Sequence, residues 1–139
     1  MNGATVVVVG SGGREHALCL SLNASPKVAA IHCVPGNAGT ARIATNHAVE
    51  SSVETLVSLF QELEPDLVVV GPEAPLCDGL ADACAEAGVA CFGPVAALAH
   101  LEGSKLHAKQ AMEAAGVPTA AYLRLDKTTD IEAALDAFS

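Results

Sequence analysis

The apolar pattern opens on four consecutive valines, Val6 to Val9, which run into Gly10-Ser11-Gly12-Gly13 and then a helix-compatible segment. An uninterrupted apolar run predicts a strand buried on both faces, as in a parallel sheet. We place strand one at Thr5–Val9 and a helix from about Gly13 to Leu22, closed by Asn23-Ala24-Ser25-Pro26. The β-branched stretch Val28–Val34 predicts strand two, and a short strand is expected near His47–Val49. Ser51 followed by Glu54 has the spacing of a capping box, and Val53, Leu56, Val57, Phe60 and Leu63 recur on one helical face. Pro65 and Asp66 end that helix before the strand Leu67–Val70. A loop over Gly71–Leu76, a helix over Gly79–Ala87 stopped by Gly88, and a strand over Val89–Phe92 complete the pattern.

Strands and helices alternating at this spacing specify an α/β fold with a Rossmann-like, doubly wound parallel sheet. Ligands of such sheets collect at the carboxyl ends of the strands. The loops after Val9, Val34 and Val70, which are Gly10–Gly13, Pro35–Thr40 and Gly71–Leu76, should therefore crowd one edge. Beyond Pro94 the texture changes. Helices are expected over Val95–Leu101 and Ser104–Ala115, a short strand around Ala121–Leu125, and a helix from Asp130 to Phe138 capped by Thr129 and Glu132. We divide the chain into a domain over 1–101 and the opening of an α+β unit over 102–139.

Composition narrows the partners. At 51% hydrophobic and 17% charged, the 139-residue chain has the balance of a folded globular protein. No apolar run approaches the roughly 20 residues of a membrane span, and no basic signal-like N-terminus is present. A net charge of −9 without a basic patch argues against nucleic acid and anionic membrane. Five cysteines without a C-x-x-C pair read as buried thiols of a reducing compartment, and five scattered histidines give no metal site.

A strand, a glycine turn and a helix can aim backbone N–H groups at an anion. The dinucleotide fingerprint is broken, however, because Glu15 replaces its third glycine and strand two ends in Val34-Pro35 without a ribose-binding acid. Another phosphate or polar ligand, or a purely structural turn, remains. Arg14 offers a cation to phosphate or an exposed ion pair to Glu15, and Glu15 itself suits a helix N-terminus. Asn37 is a ligand contact or a turn residue. Glu73, the acid between two prolines, is an acceptor for a sugar diol or a solvated loop carboxylate. Lys105 and Lys109 form a solvated helix face or a phosphate contact, with Ser104 as the helix cap.

Six segments taken together resemble one family. They are Val8–Leu18 (VVGSGGREHAL), Pro35–Thr40 (PGNAGT), Val69–Leu76 (VVGPEAPL), Cys91–Pro94 (CFGP), Leu101–Lys105 (LEGSK) and Gly116–Ala120 (GVPTA). In order and spacing they match the glycinamide ribonucleotide synthetases, or phosphoribosylamine–glycine ligases, of the ATP-grasp superfamily. The resemblance implies a cytoplasmic enzyme of purine synthesis that joins glycine to 5-phosphoribosylamine with ATP and magnesium, through a glycyl phosphate. Carried over by motif, Gly10, Ser11, Gly12, Gly13, Arg14 and Glu15 would face the phosphoribosyl substrate with Asn37 and Gly39. Glu73 would take the ribose hydroxyls, and Lys105 resembles the early ATP-grasp lysine that approaches nucleotide.

The same resemblance implies that the nucleotide loop, the magnesium ligands and the catalytic residues belong to a longer polypeptide, the remainder of the ligase. This stretch would then hold no catalytic or metal-binding residue and bind neither ATP nor magnesium. Two alternatives stand beside it: a fragment of a related ATP-grasp enzyme, biotin carboxylase-like or formate-dependent, or a non-catalytic phosphosugar-binding domain. Phosphoryl transfer rests on positioning and metal-borne charge, so the 139-residue chain alone is expected to be inactive. Glycine-dependent release of phosphate from ATP, followed with the purified chain, checks this; turnover above a protein-free control contradicts it.

Overall fold

The structure, a computed structural model, describes residues 3–138. By internal contacts the chain divides into two compact units, Met1–Gly103 and Ser104–Ser139.

The first unit is a five-stranded, all-parallel sheet in the order β3-β2-β1-β4-β5. Its strands are β1 (Ala4–Gly10), β2 (Val28–Pro35), β3 (Thr45–Asn46), β4 (Leu67–Val70) and β5 (Cys91–Phe92). Central β1 is flanked by β2 on one side and β4 on the other, with Val9 level with both Val34 and Val70. Val6 to Val9 are at most 2% exposed, because helices cover both faces. On one face α1 (Gly13–Asn23) packs Cys19 against Val8, Ile31 and Cys33. On the other, α2 (Val53–Leu63), α3 (Glu73–Cys77), α4 (Leu80–Glu86) and α5 (Ala96–Gly103) bring Leu56, Phe60, Leu76, Leu80 and Ala99 onto Val7, Val9, Val34, Val68 and Val70. Phe60 is fully buried there, a placement worth ~2–3 kcal/mol in transfer free energy. All five cysteines are free, Cys19, Cys33 and Cys84 being buried and Cys77 and Cys91 partly exposed. Burial pushes the Cys19 thiol up to about 12, so it stays protonated at neutral pH.

Several expected elements differ. The short strand lies at Thr45–Asn46 and not at His47–Val49. Asn46 is drawn inward by hydrogen bonds to the Asn37 carbonyl and Thr40, and the Val49 N–H turns back to the His47 carbonyl at 2.9 Å, bending the chain off the sheet. The cap of α2 is Ser52, whose Oγ accepts the Thr55 N–H, and not Ser51 with Glu54. Gly71–Leu76 is not all loop: α3 begins at Glu73, after Pro72 supplies the extended residue before a first turn. Paired strand in β5 is limited to Cys91–Phe92 within the expected Val89–Phe92.

In the second unit α6 (Lys105–Ala114) is capped by Ser104, whose Oγ accepts the His107 N–H at 3.2 Å. The strand expected around Ala121–Leu125 is irregular, since no strand among the described residues pairs with its N–H and C=O groups. Helix α7 (Ile131–Ala137) is capped by Asp130 on the Ala133 N–H, while Thr129, the expected cap, closes a turn with Asp126. Leu123, Leu125, Ile131 and Leu135 line an apolar hollow.

At the β2–β3 edge, His32 Nδ1 and His47 Nε2 lie 2.8 Å apart and share one hydrogen bond. Burial, with the neighbouring His47, lowers the pKa of His32 below the usual 6.5. A base whose folded pKa is depressed stabilises the fold above its unfolded value and loses that contribution as pH falls through the folded one. Stability to urea should therefore decline on acidification from pH 7.5 toward 5.5, and His32→Gln should flatten that slope. Equal slopes in the two proteins would contradict the assignment.

Candidate functional site

The loops that follow β1, β2 and β4 emerge at the same end of the sheet because the three strands are parallel neighbours. They enclose a cleft of about 400 Å³ lined by Gly10, Ser11, Gly12 and Glu15, by Pro35, and by Pro72 and Pro75, with Ser51 contributing from the segment before α2. Two backbone bonds draw the loop stems together: the Gly36 N–H donates to the Gly10 carbonyl at 3.1 Å, and the Gly71 N–H to the Val9 carbonyl at 3.0 Å. Gly10 and Gly36 take positive φ of 128° and 74°, the left-handed region that favours glycine.

Glu15 sits at the centre of this end of the sheet. It forms the ion pair with Arg14 that its position suggests, but its own end of that pair is buried, the residue being 3% exposed. Its Oε2 accepts the Gly12 N–H at 2.6 Å, and its Oε1 accepts Arg14 Nε at 3.0 Å. The carboxylate fills the space that side chains at Gly10, Gly12 and Gly71 would need. All three glycines are therefore small for the sake of one neighbour. Glu15 is the third helical residue of α1, so it reaches back over the first turn to the cap residue, as a capping-box acid does.

Asn37 joins the first loop to the second. Its Nδ2 donates to the carbonyls of Ser11 and Gly12 at 2.8 and 3.2 Å, and its Oδ1 accepts the N–H groups of Gly39 and Thr40 at 2.7 and 3.0 Å. Thr40, fully buried, accepts the Asn37 N–H, and Asn46 Nδ2 donates to the Asn37 carbonyl. Asn46 also occupies the space beside Gly36, and the His16 ring that beside Gly39. Each amide atom of Asn37 thus already serves the loops. The residues that sequence reasoning missed are Thr40, Asn46 and Ser51. Thr40 lies in a motif that by itself gives it no role, Asn46 carries no local signal, and Ser51 has the spacing of a cap that its neighbour Ser52 provides.

Ser11 and Gly12 are exposed where they line the cleft, and Gly13 and Arg14 are exposed outside its lining, the Arg14 side chain by 57%. Glu73 is the exposed first residue of α3, with its neighbours Pro72, Ala74 and Pro75 on the cleft wall. In the second unit, Lys105 borders a groove of about 540 Å³ with Lys109, Tyr122 and Arg124. Lys109 Nζ donates to Thr119 Oγ1 and the Ala120 carbonyl, both at 2.7 Å, and lies 5.5 Å from the centre of the Tyr122 ring. Among the described residues no group of three or more His, Cys, Asp or Glu could hold a metal ion, and no helix is long and apolar enough to cross a membrane.

If Glu15 anchors the loops, filling its space should damage the site. A methyl group at Gly71 would meet the Glu15 carboxylate, which is pinned on both oxygens. Gly71→Ala is expected to lower stability by ~1–3 kcal/mol, the usual range for overpacking, whereas Gly13→Ala meets nothing within 4 Å and should cost little by comparison. Urea unfolding of the two variants checks the contrast.

Comparison with known proteins bears on the same segments. A family model described as phosphoribosylglycinamide synthetase, N domain, matches residues 4–102. Phosphoribosylamine–glycine ligase of Mycobacterium bovis is 52% identical over 134 residues, covering 96% of this chain and 32% of the relative. The enzyme of that name from Streptomyces coelicolor is 51% identical over the same length and coverage. Among solved structures, phosphoribosylamine–glycine ligase of Thermotoga maritima aligns at a TM-score of 0.67 and 29% identity, covering 97% of this chain and 31% of that one. N5-carboxyaminoimidazole ribonucleotide synthetase of Thermus thermophilus aligns at 0.72 with 20% identity, covering 96% of this chain and 36% of that one, a likeness of fold alone. The chain spans about a third of the length of the curated relatives it matches. With a glycine turn, a second loop and a third at the positions its motifs predict, the chain belongs to the family of phosphoribosylglycinamide synthetase N domains.

Proposed function

We propose that this chain supplies the amino-sugar half of a ligase site, in a polypeptide that joins glycine to 5-phosphoribosylamine at the expense of ATP. The observation that carries the reading is the convergence of the first, second and third loops on one cleft, in the order in which the family's motifs occur. In the whole enzyme, the glycine carboxylate would take the terminal phosphoryl group of ATP with release of ADP, and the ribosylamine nitrogen would then displace phosphate from that glycyl phosphate to form the amide. The part taken by this chain is binding and orientation. Ser11, Gly12 and the walls at Pro35 and Pro72 enclose the sugar, and Glu73 accepts from its hydroxyls. Arg14, Glu15, Asn37 and Gly39 hold the loops in register, so the site is built before the ligand arrives and less ordering opposes binding.

Lys105 and the groove beside it take the nucleotide's side of the reaction. A lysine with neighbouring Arg124 and the Tyr122 ring is a donor set that fits a polyphosphate and a base. Magnesium would supply charge neutralisation on the transferred phosphoryl group, with its ligands drawn from the remainder of the polypeptide. A reducing, cytoplasmic setting agrees with five free thiols.

Isothermal titration of the chain with glycinamide ribonucleotide, the stable product, tests the binding role. The product should bind, and Glu73→Ala should weaken it roughly tenfold, the effect of one charge-assisted hydrogen bond. An unchanged affinity would remove Glu73 from the sugar site, and no binding by the unaltered chain would contradict the half-site.

A further inference from the structure

The glycine turn after β1 has the outline of a phosphate cradle, but its anion position is filled from within. In such a turn the N–H groups at the start of the helix point at the ligand's phosphate. Here the Gly12 N–H donates to Glu15 Oε2 at 2.6 Å, and the carboxylate lies against Gly10, Gly12 and Gly71 at the base of the cleft. The residues lining the cleft include no Lys, Arg or His. The nearest cation in sequence, Arg14, is not among them, and its Nε is bonded to Glu15 Oε1 at 3.0 Å. An anion entering the cleft would therefore meet a carboxylate that already holds the Gly12 N–H and the Arg14 guanidinium, and no free cation in the lining. The remaining lining is suited to different chemistry: Ser11 and Ser51 are polar, and Pro35, Pro72 and Pro75 are flat and apolar.

We propose that this cleft selects for hydrogen-bond donors on an uncharged or cationic ligand face, an amine or vicinal hydroxyls on a sugar ring, and excludes phosphate. Resting on the half-site reading above, this orients the amino sugar: its ring and amine enter between the loops, and its phosphate points away from the turn toward a cation outside the lining. Glu15 acts as a positioning residue. It reserves the Gly12 N–H and ties the Arg14 guanidinium to itself, away from an incoming anion.

Amide chemical shifts of the 139-residue chain, recorded by ¹⁵N–¹H NMR, test the proposal. The unaltered chain is titrated separately with inorganic phosphate and with glycinamide ribonucleotide. The nucleotide should shift the amides of Ser11, Gly12 and Gly71, and phosphate should leave these and the Gly13 and Arg14 amides unmoved. Phosphate that shifts the Gly12, Gly13 and Arg14 amides and displaces the nucleotide overturns the proposal while leaving the half-site reading intact. A nucleotide that moves no amide of the cleft overturns both. Glu15→Gln keeps an acceptor for the Gly12 N–H but removes the charge. It should let phosphate shift the Gly13 and Arg14 amides while weakening the nucleotide by about tenfold. A purely structural Glu15 would give no such gain, and a variant that binds as the unaltered chain does, without a phosphate response, counts against the proposal. Should Glu15→Gln fail to fold, the titrations of the unaltered chain decide.

Discussion

One buried carboxylate organises the end of the sheet where ligands of this fold bind. Glu15 receives the Gly12 N–H on one oxygen and Arg14 Nε on the other, and three glycines from two loops close around it. A carboxylate removed from water needs such partners, and here they come from the turn it stabilises. The first loop is held against the third through Gly71, and against the second through Asn37, whose amide bridges Ser11 and Gly12 to Gly39 and Thr40. Without that carboxylate the glycine turn would keep its backbone freedom but lose the contact that selects one conformation.

The arrangement separates recognition from construction. Residues that look like ligand groups in sequence, Glu15 and Asn37, are engaged with the protein's own backbone, while the surface left to a ligand is made of Ser11, Ser51, prolines and glycines. In the second unit Lys105 and Lys109 flank a groove, where Lys109 is already bonded to Thr119 and Ala120.

The core explains why the loops can be short. With Val7 and Val9 facing one layer of helices and Val8 the other, β1 is immobilised from both sides. Its carboxyl end is a rigid base for the glycine turn. Phe60 and Leu56 from α2 and Leu80 from α4 complete the larger layer, so the strand ends that carry the second and third loops are fixed to the same frame.

From the amino-acid pattern alone the central strands, the principal helices, the doubly wound sheet and the meeting of three loops at one edge were legible. Each follows from periodicity, from breakers such as Pro65 and Gly88, and from the right-handed crossover that parallel strands demand. The six motifs were enough to place the chain in its family. What the pattern left open were choices between local equivalents. Ser51 and Ser52 both satisfy a cap rule, and in the folded chain the Ser52 Oγ takes the Thr55 N–H while Ser51 lines the cleft. The pattern points to a short strand near His47–Val49, whereas the paired residues are Thr45–Asn46, held by the side-chain bonds of Asn46. Glu15 was named for its position in a motif, but whether its carboxylate faced a ligand or its own turn depended on Gly71, 56 residues away in the chain. Periodicity acts over a few residues, whereas a buried charge is satisfied by whatever the fold brings beside it, and that is the information tertiary structure adds.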